Sequence, residues 1–177
     1  MEIKSLIHPR QLEEVVRLIR TTPKEGIIVE VGVYQGGSAV EFMKVAKERN
    51  QELWLFDTFS GMPEASEIDW HKIGEFDQCS EDAVRSLLPE AHIFAGFFPD
   101  TWNAIPEKKK ISFAHVDCDQ YLSIANCITI FKPMMLPGGI MWFDDYGHAH
   151  LPGAQKAVDE FLPERLIHPL GRAYYIF

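Results

Sequence analysis

The sequence predicts an α/β domain: one open, mostly parallel sheet of seven strands with helices on both faces and an antiparallel hairpin at the C-terminus. Three observations lead there. Five short apolar runs, each reading as a buried strand, alternate with stretches of helical character along the 177 residues. Strands separated by helices imply parallel pairing through right-handed crossovers. Finally, two runs end in acidic tips, Val116-Asp117-Cys118-Asp119 and Phe143-Asp144-Asp145-Tyr146, and a third is followed by a glycine-rich turn at 32–37. Ligands of open parallel sheets gather at such carboxyl ends.

The elements follow in order. Residues 9–21 place Leu12, Val15, Val16 and Ile19 at helical spacing behind Pro9. Ile27 to Val31 is a β-branched run and the first strand; Ser38 to about Arg49 is helical in composition; Glu52 to Asp57 is strand two. Ser80 can cap a helix over about 81–88, with Glu81 and Asp82 in its first turn. His92 to Ala95 is strand three, ended by Gly96; Ile111 to Val116 is strand four. A helix over 122–135, strand five over Gly139 to Phe143 and a last helix over 153–162 complete the alternation. The tail from Arg165 to Phe177 has two apolar pieces around Gly171, readable as the closing hairpin. Residues 61–79 carry no clear period, and so long a loop in a compact domain is usually a lid or substrate loop.

Composition narrows the function. A chain of this length that is 46% hydrophobic suits one domain over residues 1–177 with a single sizeable core. Net charge is −9 and no basic block exceeds Lys108–Lys110, which argues against a nucleic-acid partner held by phosphate neutralisation. Cys79, Cys118 and Cys127 fit no metal or disulfide spacing. The start lacks the apolar region of a signal peptide, and no run approaches the roughly 18 apolar residues of a membrane span. A soluble, cytoplasmic protein without a membrane partner is expected.

The turn Val29-Glu30-Val31-Gly32-Val33-Tyr34-Gln35-Gly36-Gly37-Ser38 has the strand, turn and helix order used for nucleotide ligands. Gly32 permits a tight turn, and Gly36 and Gly37 permit close approach of a ligand. Gly32 and Gly36 are four apart, the third glycine of a dinucleotide fingerprint is out of place, and there is no Walker lysine. The loop is therefore wide and unsuited to pyrophosphate, although a purely structural turn stays open at this point. Asp57 ends strand two about 25 residues after Gly32, where an acid can accept both hydroxyls of a ribose. Gly96-Phe97-Phe98-Pro99 closes strand three, so Phe97 or Phe98 can line an adenine slot, with ordinary core packing as the alternative for either.

If strands four and five are neighbours, their axes lie about 4.8 Å apart, and Asp117 comes within one ion's reach of Asp144, with Asp145 beside it. Crowded carboxylates repel unless something positive sits between them. Three hard oxygen donors with open positions suit Mg²⁺ or another divalent ion rather than Zn²⁺, and such an ion could lower the pKa of a substrate hydroxyl.

Five motifs taken together, Val29 to Ser38, Leu55-Phe56-Asp57-Thr58-Phe59-Ser60-Gly61-Met62-Pro63, Gly96 to Thr101, His115 to Tyr121 and Pro137 to Gly147, resemble the macrocin O-methyltransferase (TylF-type) family from about residue 25 to 162. The resemblance implies a Rossmann-like class I methyltransferase fold and a metal-assisted O-methyltransferase. The methyl donor would be S-adenosylmethionine and the partner a small-molecule hydroxyl acceptor, a sugar or natural-product glycoside. By position, Glu30, Gly32, Tyr34 and Ser38 would surround the methionine part of the cofactor, and Gly36 is a further cofactor-binding residue. Asp57 would hold the ribose, flanked by Thr58 or Phe59; Gly96, Phe97, Phe98 and Asp117 complete the cofactor set. Asp117, Asp144 and Asp145 match the metal carboxylates. For the general base, Asp117, Asp119 and His148 stand nearest, because Gln120 occupies the place where related catechol-type enzymes carry a lysine. Only about 25 residues precede strand one, fewer than is usual in the family. Two arrangements stay open: a more exposed pocket, or one completed by a second copy of the chain in a homodimer. A cofactor-binding module without catalysis and a nicotinamide-dependent oxidoreductase are the rival readings, the latter disfavoured by the glycine spacing.

Overall fold

A computed structural model describes residues 5–63, 66–162, 166–167 and 171–177. Helix α1 (Pro9–Thr21) begins with proline at its first turn and buries Val15, Leu18 and Ile19. It leads into β1 (Ile27–Val31), α2 (Gly37–Arg49) and β2 (Leu53–Asp57). Then come α3 (Glu81–Leu87), where the Ser80 side chain accepts the Ala83 N–H as anticipated, and β3 (His92–Ala95). A one-turn helix α4 (Asp100–Asn103), too short to show a period in sequence, precedes β4 (Ile111–Val116). Helix α5 (Tyr121–Phe131), β5 (Met135–Phe143), α6 (Pro152–Phe161), β6 (Leu166–Ile167) and β7 (Ala173–Ile176) complete the chain.

Around residue 133 the observed boundaries depart from the sequence reading. The helix expected over 122–135 ends at Phe131, passes through a 3₁₀ turn at Lys132–Met134, and β5 starts four residues earlier than Gly139. Pro133 has no N–H to continue the helix. Gly138 and Gly139 lie inside the strand, where pairing with β4 shifts register between Ile111 and Phe113.

The sheet order is β3-β2-β1-β4-β5-β7-β6. Strands β1 to β5 pair in parallel, and β7 runs antiparallel to both β5 and β6. Strands β1, β2 and β4 are buried on both faces, which explains their continuous apolar runs, whereas the edge strand β3 exposes His92 and Ala95. Alternate residues divide between two cores. Val29, Val31, Phe56, Ala114 and Phe143 face α5 and α6, while Ile28, Leu55, Phe113 and Trp142 face α1, α2 and α3. Two polar side chains interrupt the second layer: Glu30 and His115, register partners on β1 and β4, both fully buried. Among the described residues no helix is long and apolar enough to cross a membrane.

Candidate active site

The parallel ladder sets three strand tips side by side. The Asp117 N–H donates to the Val31 carbonyl at 2.9 Å, and the Asp144 N–H donates to the Val116 carbonyl at 3.0 Å. At the end of β1 the backbone passes so close to β4 that a Cβ on Gly32 would lie 1.7 Å from the Asp117 carbonyl oxygen, and Gly32 has φ +92°. A side chain there is excluded on both counts. The turn that follows is tied to β2: Asp57 Oδ2 accepts the N–H groups of Val33 and Tyr34 at 2.7 and 2.8 Å, and its Oδ1 accepts the Phe59 N–H at 2.8 Å. Strand-end Asp57 thus stiffens the glycine turn while facing the cavity beside it.

That cavity, about 520 Å³, lies over the carboxyl ends of the strands. Gly32, Tyr34, Asp57, Thr58, Gly96, Phe97, Phe98, Asp117, Asp119, Asp144, Asp145 and His148 all line it, so most residues singled out from sequence meet in one place. Four do not reach the wall. Ser38 Oγ donates to Glu30 Oε1 at 2.6 Å, and the two are buried beneath the turn. Gly36 opens α2 against Leu87 of α3, and Phe59 packs into the α1–α3 layer. Phe98 is buried, its ring edge-on to Phe56 with the centroids 5.6 Å apart, whereas Phe97 is 41% exposed at the rim.

Asp117, Asp144 and Asp145 each present a carboxylate oxygen within 4.8 Å of the others. Burial pushes the Asp117 carboxyl well above its usual range, and the charges of Asp144 and Asp145 push it further. Asp145 is raised in the same way, by burial and then by Asp119 and Asp144. Asp119 is raised to about 7, again by burial first and Asp117 second. Its N–H donates to Asp145 Oδ2 at 2.8 Å, and its backbone lies in the left-handed region at φ 57°. Among the described residues two cations, His115 and Arg172, answer this negative charge. His115, enclosed with Nδ1 3.3 Å from Glu30 and Nε2 3.9 Å from Asp144, is raised to about 10 by these carboxylates despite its burial. Arg172 Nε stands 3.8 Å from Asp144 Oδ2. His115, Arg172 and the Trp142 indole, which donates to Asp144 Oδ1 at 3.2 Å, hold Asp144 below the usual carboxylate range against its burial.

The donor chemistry fits a hard divalent cation. Bonds of about 2.0–2.1 Å to Mg²⁺ require donors no more than about 4.2 Å apart, and the longer bonds of Ca²⁺ allow about 5 Å. Side-chain shifts below an ångström satisfy the smaller ion. His148 lines the same cavity, and burial, then Arg172 and His150, lower its proton affinity, so it is a neutral imidazole near pH 7.

Sequence reasoning misses two contributors, the segment before α1 and Arg172; the third, His71, belongs with Trp70 and Phe76 to the 61–79 loop expected to cover the acceptor. The segment before α1 supplies Leu6, Ile7 and His8 to the cavity wall, with Gln11 from the helix. His71 reaches in from the long loop, and Arg172 from just before β7. Neither of the two missed lies in a motif at a strand tip.

A mostly parallel seven-stranded sheet of this order, with its cavity and acidic cluster over the carboxyl ends, defines a domain of class I methyltransferase architecture. Comparison with known proteins agrees. The solved structure of the O-methyltransferase NovP superposes with a TM-score of 0.82 at 22% identity, covering 94% of this chain and 79% of that one. Mycinamicin III 3''-O-methyltransferase of Micromonospora griseorubida is 24% identical over 89% of this chain and 69% of its own length. An 8-demethyl-8-(2,3-dimethoxy-alpha-L-rhamnosyl)-tetracenomycin-C 4'-O-methyltransferase of Streptomyces olivaceus is 24% identical over 80% of this chain, which spans 62% of that relative. The model of the macrocin-O-methyltransferase (TylF) family matches residues 7–172, and the chain belongs to that family.

Proposed function

We propose that this protein transfers a methyl group from S-adenosylmethionine to a hydroxyl on the sugar of a small natural product, assisted by a divalent ion held by Asp117, Asp144 and Asp145. The observation that carries this reading is the convergence of those three carboxylates within 4.8 Å, beside the Gly32 turn and Asp57. Family membership, the O-methyltransferase names of both relatives and the rhamnosyl group in the name of one of them support it.

Each residue has a physical role. The Gly32–Tyr34 turn, stiffened by Asp57, accommodates the methionine end of the cofactor, with Glu30 and Ser38 supporting it from beneath. Asp57 faces the ribose, and Phe98 offers an apolar wall to the adenine. When bound, the cofactor supplies a methyl carbon open to in-line displacement, and a divalent ion supplies positive charge that favours the ionised acceptor oxygen. Asp119, on the cavity wall beside Asp145, draws off the hydroxyl proton; His148 is the neutral base next in reach. Holding donor and acceptor in one cavity contributes most of the acceleration through orientation.

Thermal-shift measurements test the reading. S-adenosylhomocysteine should raise Tm and NAD should not. Asp144→Ala should abolish metal-dependent turnover over a panel of glycosides while nearly preserving cofactor affinity. Stabilisation by NAD would favour an oxidoreductase; cofactor binding without any methyl transfer would favour a non-catalytic module.

A further inference from the structure

The loop after β2 carries a histidine–carboxylate dyad that the proposed mechanism does not use. Glu75 Oε2 lies 2.6 Å from His71 Nδ1, and His71 Nε2 faces Asp119 Oδ1 across 3.7 Å of the cavity. The loop is held in place independently. Asp69 Oδ1 accepts the Tyr121 N–H at 2.8 Å, Gln35 Nε2 donates to the Gln78 carbonyl at 3.0 Å, and the Phe76 ring meets the Tyr34 ring edge-on at 5.9 Å. His71 is therefore pinned over the acidic cluster.

An ionised carboxylate can only accept, so the contact with Glu75 places a proton on His71 Nδ1 and leaves Nε2 as the ring nitrogen that faces the cavity. At 3.7 Å, Nε2 and Asp119 Oδ1 are too far apart to share a hydrogen bond. Two polar atoms facing each other unbonded in a partly buried site, with side chains only 19% and 18% exposed, call for bridging groups between them. Neighbouring hydroxyls on a pyranose ring, each able to donate or accept, provide two such groups, one for each.

We propose that His71, fixed by Glu75, recognises the methyl acceptor: its Nε2 receives one sugar hydroxyl while Asp119 receives the adjacent one, so the site selects acceptors bearing a vicinal pair of free hydroxyls. Glu75 is a positioning residue that acts through His71. The inference rests on the methyl-transfer reading above.

The test combines a probe acceptor with a measurement that needs none. Nitrogen-15 spectra of histidine-labelled protein at mildly alkaline pH should show His71 with Nδ1 protonated, a preference that Glu75→Ala removes. With p-nitrophenyl α-L-rhamnopyranoside as acceptor, His71→Ala should raise KM roughly three- to tenfold, as expected for one lost hydrogen bond, with kcat changing less. Affinity for S-adenosylhomocysteine should be unchanged. One monodeoxy analogue of the probe should show the raised KM with wild-type protein and no further rise with His71→Ala. A wild-type spectrum with Nε2 protonated, or an unaltered KM in His71→Ala, overturns the proposal. Protein that binds S-adenosylhomocysteine yet methylates no rhamnoside overturns the sugar-acceptor assignment. Protein that does not bind S-adenosylhomocysteine overturns the methyltransferase reading, and this one with it.

Discussion

Replacing Asp117 by asparagine should have opposite effects with and without a divalent ion. In the metal-free protein Asp117, Asp144 and Asp145 bring oxygens within 4.8 Å of one another. At that separation two full charges repel by about 3.5 kcal/mol at an effective dielectric of roughly 20. Burial and this repulsion already hold Asp117 and Asp145 above the normal carboxylate range, so part of the repulsion is relieved by protonation. Asp117→Asn removes one charge and keeps the shape, and should stabilise the metal-free protein by about 1–3 kcal/mol. For a chain of 177 residues each kcal/mol moves Tm by about 2–4 °C. The wild-type protein should instead gain about 2.7 kcal/mol from an ion at one hundred times its Kd, and the variant almost nothing. Differential scanning calorimetry in EDTA and in a Mg²⁺ series reads both quantities. If Asp117→Asn is less stable than wild type in EDTA, or responds to Mg²⁺ equally, the three carboxylates are not an ion site and the argument fails.

Other expectations follow from single contacts. Gly32→Ala places a methyl 1.7 Å from the Asp117 carbonyl at φ +92°, and urea titration should show a loss above about 3 kcal/mol with impaired cofactor binding; a loss under 1 kcal/mol would refute the close approach. Asp57→Ala frees three backbone N–H groups at the turn and should weaken S-adenosylhomocysteine more than tenfold by calorimetry, with about 1–3 kcal/mol of lost stability. For pH the sign comes from Asp119, raised from 3.8 to about 7 on folding. Between those values the folded, metal-free protein holds a proton the unfolded chain has released, so Asp119 makes stability fall as pH rises through that window. Asp119→Asn should flatten the slope by up to about 1.4 kcal/mol per pH unit in denaturant titrations without metal, and an unchanged slope would count against the buried, crowded carboxylate. Cofactor and Mg²⁺ together should slow protease cleavage in the 66–79 loop, and equal cleavage with and without them would show that the loop does not close over the site.

Local chemistry made much of this protein legible in its sequence. Parallel strands buried on both faces require unbroken apolar runs, so β1, β2 and β4 stand out as Ile27–Val31, Leu53–Asp57 and Ile111–Val116. Strand tips carry the ligands of open sheets, so Gly32, Asp57, Asp117, Asp144 and Asp145 were readable from position alone. Harder to see was the end of α5, where Pro133 and the pairing of β5 with β4 shorten the helix that composition favours.

Contacts made across long sequence separations carry no local period, and those only the tertiary structure decided. Register pairing sets Glu30 against His115, and the meeting of β4 with β5 then encloses that imidazole between two carboxylates inside an apolar layer. Folding of the segment before α1, the 61–79 loop and the turn before β7 brings Ile7, His71 and Arg172 to one cavity, though nothing in their immediate neighbours marks them. The sequence by itself determined which strands form and which acids end them, because burial and backbone chemistry act residue by residue. How close those acids stand, and what charge each carries, depends on distance and dielectric, and these exist only once the sheet is assembled.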